Sequence, residues 1–224
     1  WQRAEADLTR ALELDPASRQ GLLKRGTVRS RFADRLGDDG KDPEPKFKDA
    51  FADLTAAGET AEALLMRGKL QDMWGYWMMD HALDPGERYA AAVADFDRAI
   101  RLDPLSAAAW WGRANVRRHW GLFMKNHGDD PKAIYQDAVA DYARALELDP
   151  RCADLWRSRA EVRLALAVYG NKRGERVYAG LDDACKDLEK AIHFEPASSW
   201  SVGSRAQVYM FRGECLVLDG IQEV

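Results

Sequence analysis

The chain has 224 residues, of which 46% are hydrophobic and 31% charged, and its formal net charge is −4. This composition is typical of a folded protein with a solvated surface and argues against a disordered segment. The 33 basic and 37 acidic residues are spread along the whole chain, and no apolar run approaches the ~20 residues that span a bilayer. Neither a nucleic-acid partner nor a membrane segment is therefore predicted.

The cysteines and the start of the chain predict its compartment. Cys152, Cys185 and Cys215 lie far apart and form no C-x-x-C pair, which favours a reducing compartment and a cytoplasmic location over a metal or redox site. The sequence begins at Trp1 within a helical pattern and without the layout of a signal peptide. We therefore interpret it as a fragment.

Two markers recur along the chain. The first is the string Ala-Leu/Ile-x-Leu/Phe-Asp/Glu-Pro at residues 11–16, 99–104, 145–150 and 191–196. A degenerate fifth copy is marked by residues 50–57, which align with residues 92–99 and 138–145. The second is an arginine followed by Gly or Ala. The regular period is 46 residues, and the interval is shorter only around Gly58, where we expect one helix to end early and the next to begin at Thr60. The arginine marker occurs at Arg25, Arg67, Arg113, Arg159 and Arg205.

Apolar residues at helical intervals predict two helices in each period. Residues 1–16 are the second helix of a truncated repeat, and residues 17–58, 59–104, 105–150 and 151–196 are four complete repeats. Residues 197–224 are the first helix of a further or capping repeat. Turn residues at 37–40, 128–130 and 170–174 predict the loops inside the repeats, and Asp-Pro at 84–85 and 130–131 predicts helix starts.

The repeated small residue, the large residue four positions later and the closing Asp-Pro together resemble the tetratricopeptide repeat. The resemblance covers nearly the whole chain and implies an all-α fold, a right-handed superhelical stack of antiparallel helical hairpins, as one solenoid over 1–224. A repeat of this family usually has 34 residues, so a 46-residue period predicts longer helices, with about 20 residues in the first helix. The small position is matched by Ala4, Ala50, Ala92, Ala138 and Ala184, and the large one by Leu8, Leu54, Phe96, Tyr142 and Leu188.

Each marker arginine recurs together with an aspartate on the second helix. The pattern fits either an arginine ladder that grips an anionic ligand or an ion pair repeated inside the stack. We favour the ion pair, because a charge placed so deep in a repeat needs a partner to offset its desolvation. The aspartates are Asp7, Asp53, Asp95, Asp141 and Asp187.

The sequence predicts neither catalysis nor a cofactor. Four histidines, His81, His119, His127 and His193, stand at what we interpret as non-equivalent positions without metal-ligand spacing. The acidic run at 38–44 lacks the offsets of a calcium loop. No phosphate-binding, nucleophile-elbow or zinc-protease motif occurs. We therefore predict no metal, no cofactor and no enzyme activity.

In the resembled family the first helix of each repeat lines a concave face. That resemblance implies that Trp111 is either a peptide anchor or a packing residue. It also disfavours a chaperone-tail clamp, since Trp111 and Ser158 stand where Lys and Asn are expected. The predicted partner-binding residues are Lys69, Met73, Trp111, Asn115, Arg118, His119, Arg157 and Glu161, and Leu23, Thr27 and Arg31 are their counterparts in the first complete repeat.

These observations predict a protein-protein interaction scaffold that binds a peptide or a partner helix on the concave groove. Two alternatives remain open at this point. In the first alternative, the repeats are the regulatory or substrate-recruiting arm of a larger signalling enzyme, a kinase or caspase-like peptidase, whose catalytic domain lies elsewhere in the parent chain. In the second alternative, the chain self-associates through its open repeat ends.

Overall fold

The computed structural model describes residues 1–218, and over that range the chain forms ten α-helices and no strand, which confirms the all-α prediction. We call the first helix of each repeat helix A and the second helix B. Helices A have 19 to 21 residues and helices B 13 to 17. Residues 219–224 of the predicted last repeat lie outside the described range. Helices B are α1 (Gln2–Leu14), α3 (Glu44–Ala56), α5 (Gly86–Leu102), α7 (Lys132–Leu148) and α9 (Tyr178–Phe194). Helices A are α2 (Arg19–Asp38), α4 (Ala61–Asp80), α6 (Ala107–His127), α8 (Ala153–Asn171) and α10 (Ser199–Leu218).

The chain divides into two compact units, Trp1–Trp120 and Gly121–Val224, and the boundary lies within α6. In the first unit each helix from α1 to α5 packs against the next, and α2 also touches α4. In the second unit α7, α8, α9 and α10 pack in the same sequential way, and α8 touches α10. Short loops between consecutive helices make them antiparallel hairpins, so within each unit successive helices A run in the same direction.

The recurring small and large residues form the core. Ala50, Ala92, Ala138 and Ala184 are fully buried, and the large residue four positions after each of them is at most 1% exposed. Small side chains let helices approach closely, and the large one fills the space beside them. The closest approach is at Gly112, where an added Cβ would lie 2.2 Å from the ring of Phe96.

The irregular junction has the predicted cause. Helix α3 ends at Ala56, and Gly58 continues the chain with a φ of +91°, a conformation that glycine adopts without strain. Thr60 is the N-cap of α4, and its hydroxyl accepts a hydrogen bond of 3.2 Å from the backbone N–H of Ala63. The shortened helix B thus ends in a tight turn that starts the next helix at once.

The Asp-Pro dipeptides also act as predicted. The Asp84 carboxylate accepts from the N–H of Gly86 at 2.8 Å, and the Asp130 carboxylate accepts from the N–H of Lys132 at 2.9 Å. Each bond satisfies one of the amides that a helix leaves unpaired at its N-terminus. Pro85 is the N-cap of α5, and Pro131 is the N-cap of α7.

Two of the loops begin later in the structure than the sequence predicts. Gly37 and Gly170 lie within α2 and α8, which continue to Asp38 and Asn171. The glycines that the turns require are Gly40, with a φ of +69°, and Gly174, with a φ of +76°. A glycine at the end of a helical pattern marks a turn only where the backbone adopts positive φ.

The prediction that the histidines are non-equivalent is wrong for His81 and His127, which both follow the marker arginine by 14 residues. His81 Nδ1 donates to the carbonyl oxygen of Trp77 at 2.8 Å, and His127 Nδ1 donates to that of Phe123 at 2.9 Å. The rings of each pair are 4.5 and 4.1 Å apart. Both histidines therefore satisfy carbonyls at the C-terminus of a helix A. In α8 the same positions hold Tyr169 and Arg173.

Candidate functional site

The recurring arginines meet the recurring aspartates in a two-point geometry. In each of three pairs, Nε of the arginine donates to one carboxylate oxygen and Nη2 to the other, at distances between 2.6 and 2.9 Å. The aspartates are 2 to 5% exposed. This geometry favours the structural ion pair over a ligand-binding ladder, because the planar guanidinium fork is already occupied. The pairs are Arg25 with Asp53, Arg67 with Asp95 and Arg159 with Asp187.

Sequence reasoning missed a second donor to the same aspartates. Arg29 donates to Asp53 at 2.8 Å, and Gln71 donates to Asp95 at the same distance. Arg163 completes the set with a bond of 2.6 Å to its aspartate. Each donor follows the marker arginine by four residues, one helical turn, so this spacing was the available signal. The aspartate bonds raise the pKa of Arg25 and of Arg67 above the ordinary value.

The other residues predicted to form these ion pairs lie in different surroundings. Asp7 is exposed on α1, and Arg205 is half-buried on α10. Within residues 1–218 neither residue is bonded to a ladder partner. In its own unit, Arg113 bonds to Asp97 and stacks against Trp110 with its guanidinium carbon 4.9 Å from the ring centre. The repeated ion pair stays a prediction for Asp7, Arg113, Asp141 and Arg205.

The helix A face of the first unit holds most of the predicted partner-binding residues. His119 Nδ1 lies 2.8 Å from Asp72, and His119 Nε2 lies 2.9 Å from an Arg118 nitrogen. A guanidinium can only donate, so Nε2 accepts while Nδ1 carries the proton and donates to Asp72. Tyr76 places its ring 5.0 Å from the imidazole. These contacts hold the side chains of Asp72 on α4 and of Arg118 and His119 on α6 in one orientation. Lys69 and Met73 lie on α4, and Trp111, Asn115, Arg118 and His119 lie on α6.

Trp111 is half-buried. Its indole nitrogen is shielded from solvent and has no hydrogen-bond partner among residues 1–218. By contrast, the indole N–H of Trp110 donates to Pro104 at 3.0 Å, and that of Trp156 donates to Pro150 at 2.9 Å. A shielded donor without an acceptor costs free energy. Trp111 therefore offers a hydrogen bond that the fold does not use.

Lys69 and Met73, both predicted to line the groove, differ in exposure. Lys69 is exposed, whereas Met73 is half-buried and packs against the core of the first unit. The prediction that Leu23 is a free groove position is wrong, since it is 3% exposed and belongs to that core. The same core cluster contains Leu70 and Trp74 of α4.

An open cavity of about 430 Å³ lies on the same unit, between α1, α2 and α4. Its walls combine apolar side chains with a few polar ones, which is the usual composition of a binding pocket. The lining residues are Leu8, Gln20, Leu23, Lys24, Thr27, Val28, Glu62 and Met66.

In the second unit Arg157 and Glu161 surround a tryptophan that sequence reasoning did not select. Trp200 is 64% exposed, yet its indole N–H donates to Glu161 at 3.0 Å. The Arg157 guanidinium lies 5.9 Å from the Trp200 ring and also bonds to Asp154. The exposed ring is thus held in one orientation beside a cavity of about 310 Å³ that is lined by Ser199, Trp200, Gly203, Ser204 and Gln207.

The described part of the chain contains neither a cluster of metal-ligating residues nor a membrane-spanning helix. No group of three or more His, Cys, Asp or Glu residues there is arranged to hold a metal ion. No helix there is long and apolar enough to cross a bilayer.

Comparisons with known proteins agree with this architecture. Residues 81–122 match the family model of the tetratricopeptide repeat. No curated protein sequence matches the chain significantly. Among solved structures, YrrB, described as a TPR protein with an unusual peptide-binding site, is similar with a TM-score of 0.54 and 18% identity over 92% of this chain and 83% of that one.

Human IFIT1, solved as a dimer with m7Gppp-AAAA, is similar with a TM-score of 0.55 and 15% identity over 95% of this chain. The match spans only 43% of that protein. At these identities the likeness to both structures concerns the fold alone. The tetratricopeptide repeat model matches residues 81–122, and the helical hairpins repeated over the described residues agree with the fold of that family.

Proposed function

We propose that the chain is a protein-binding scaffold whose helix A faces receive a peptide or a helix of a partner protein. The observation that carries this proposal is Trp111, a half-buried aromatic side chain with a shielded N–H that no described residue accepts. Tryptophan is among the residues that contribute most to binding at protein interfaces. A backbone carbonyl of a bound peptide is the acceptor that this donor lacks.

The surroundings of Trp111 suit such a ligand. The bonds between Arg118, His119 and Asp72 hold polar side chains in place before binding, which lowers the entropy cost of ordering them on a ligand. Lys69 adds an exposed positive charge on the neighbouring helix A. Peptide binding is also the property given for YrrB, a solved structure with the same fold.

The second unit offers a surface of the same kind. Trp200 presents an exposed ring whose orientation is fixed by Glu161, and Arg157 lies near the ring. An aromatic ring that is already oriented binds with little loss of side-chain freedom. We propose that Arg157, Glu161 and Trp200 form a separate partner-binding surface on the second unit.

Selection from a displayed random-peptide library tests the proposal. Peptides enriched on the wild-type chain are synthesised, and their affinities are measured by isothermal titration calorimetry. We expect Trp111→Ala to weaken binding by ~10-fold or more, as truncation of an interface hot spot does. Arg101→Ala, which removes an exposed charge at the end of α5, is the matched control and should change affinity less than about twofold. A failure to enrich any peptide, or equal affinities for both variants, contradicts the proposal.

Self-association is a second candidate, favoured by the outer face of α10. Val202 is 44% exposed, Tyr209 48% and Met210 68%, so apolar area faces solvent along one helix. A second copy of the chain that covers this face would bury that area. Sedimentation velocity at several concentrations tests this candidate, and a concentration-independent monomer contradicts it.

A further inference from the structure

Two cations of the first unit lie side by side on its helix A face. Helices α2 and α4 touch and run in the same direction, and Thr27 Oγ1 lies 3.9 Å from the sulfur of Met66. That contact fixes the register between the two helices. One turn further along each helix come Arg31 and Lys69, because residues three or four positions apart share a helix face. The register therefore makes these two residues neighbours across the α2–α4 seam.

Neither cation has a counter-charge. Arg31 and Lys69 are both exposed, and within residues 1–218 no carboxylate forms an ion pair with either of them. The other arginines near them on α2 behave differently, since Arg25 and Arg29 both bind Asp53. Reduced hydration of its ammonium group and the charge on Arg31 lower the pKa of Lys69 below its ordinary value. The protein thus holds two like charges close together without offsetting them.

The same seam contains the cavity of about 430 Å³. Thr27 and Met66 line this cavity, and each lies one helical turn from the corresponding cation. Leu8, Leu23 and Val28 supply apolar wall. One turn of helix is about 5.4 Å long, and two residues of an extended peptide cover roughly 6.6 Å. An apolar side chain in the cavity therefore places a second side chain, two positions along the peptide, beside the cations.

We propose that the partner segment bound on this face is acidic: an Asp or Glu carboxylate lies between Arg31 and Lys69, and an apolar side chain two positions away occupies the adjoining cavity. This inference rests on the proposed function and adds the chemistry of the ligand. A peptide is favoured over a nucleic acid, which needs many phosphate contacts. The chain has a net charge of −4, and the seam joins two cations to an apolar cavity.

The test uses peptides from the displayed library, synthesised with amidated C-termini so that the only carboxylates are side chains. We expect enriched sequences to share one Asp or Glu. Replacing that residue with its amide, or introducing Arg31→Gln or Lys69→Gln in the chain, should weaken binding about 5- to 20-fold. The control Arg101→Gln removes an exposed charge of the same unit and should have no effect above about twofold. Thermal unfolding of each variant verifies that it folds.

A charge exchange separates recognition from general damage. Lys69→Glu should reject the acidic peptide and accept the same peptide with Lys in place of its acidic residue. Enriched peptides without an acidic residue, or full affinity for the amide peptide, overturn this inference and leave the scaffold proposal standing. Enrichment of no peptide at all contradicts both. A single-stranded RNA oligonucleotide that binds more tightly than the peptides, and loses affinity in Arg31→Gln, overturns the peptide as the occupant.

Discussion

The buried ion pairs make a quantitative prediction at Asp95. This aspartate is 5% exposed and accepts two hydrogen bonds from Arg67 and one from Gln71. Asp95→Asn keeps the size of the side chain but removes the charge, and its amide nitrogen cannot accept from a guanidinium. Arg67, itself 8% exposed, is left as a charge without its main counter-ion. Breaking one partner of a buried pair costs about 3–5 kcal/mol.

Scanning calorimetry measures the effect. At ~2–4 °C of melting temperature per kcal/mol for a chain of this size, Asp95→Asn should lower the melting temperature by roughly 6–20 °C. Asp7→Asn is the matched control, because it changes the equivalent but exposed repeat position and should shift the melting temperature by at most ~2 °C. The triple variant Arg67→Met, Gln71→Met and Asp95→Leu should recover most of the loss, since it replaces the buried ion pair and also removes the amide that donates to Asp95. A loss below about 1 kcal/mol for Asp95→Asn refutes the reasoning.

Three further predictions concern single side chains. Burial alone raises the pKa of Glu5, but hydrogen bonds from Lys46 and Arg29 lower that pKa below the ordinary 4.5. The stabilisation from Glu5 is therefore present at neutral pH and is lost as the pH falls below that value, so wild type and Glu5→Gln should differ in urea denaturation at pH 7 and converge near pH 3. His127→Ala, which exposes a helix-end carbonyl, should cost about 0.5–1 kcal/mol, and no loss in urea denaturation contradicts the capping role. Gly112→Ala should cost about 1–3 kcal/mol because its Cβ meets Phe96 at 2.2 Å. Gly180→Ala, with open space around the new methyl, should stabilise the chain by roughly 0.5–1 kcal/mol, and equal effects of the two glycine variants in thermal melts would rule out the close packing.

The repeat itself made much of the fold predictable. A residue that recurs at one position in every copy meets the same neighbours each time, so the burial of Ala92 and Phe96 and the partnership of Arg67 with Asp95 follow from spacing alone. The N-cap at Thr60 was predictable for a different reason. A helix start leaves amides unpaired, and only a few side chains can accept from them.

Features that depend on the direction of one side chain were not predictable in the same way. Leu23 shares a repeat position with Trp111 and Arg157, which are half-buried, yet it is 3% exposed and belongs to the core of the first unit. Trp200 has no aromatic counterpart in the other helices A, and its orientation depends on Glu161 of the neighbouring helix A. Gln71 takes the role of an arginine because an amide also donates to a carboxylate. The Trp200 contact joins two helices without a sequence period, whereas the position of the Gln71 contact recurs at Arg29 and Arg163 and only its residue type changes.

The indole N–H of Trp111 gives the most direct test of the central claim. The eight tryptophans of the chain each give one indole signal in a 15N-edited spectrum, and Trp111→Phe assigns the signal in question. When a selected peptide is added, we predict that the Trp111 signal moves downfield as its N–H gains an acceptor. The signals of Trp74, which is 3% exposed, and of Trp156, which is bonded to Pro150, should stay in place. A peptide that binds while the Trp111 signal remains unchanged would contradict the account.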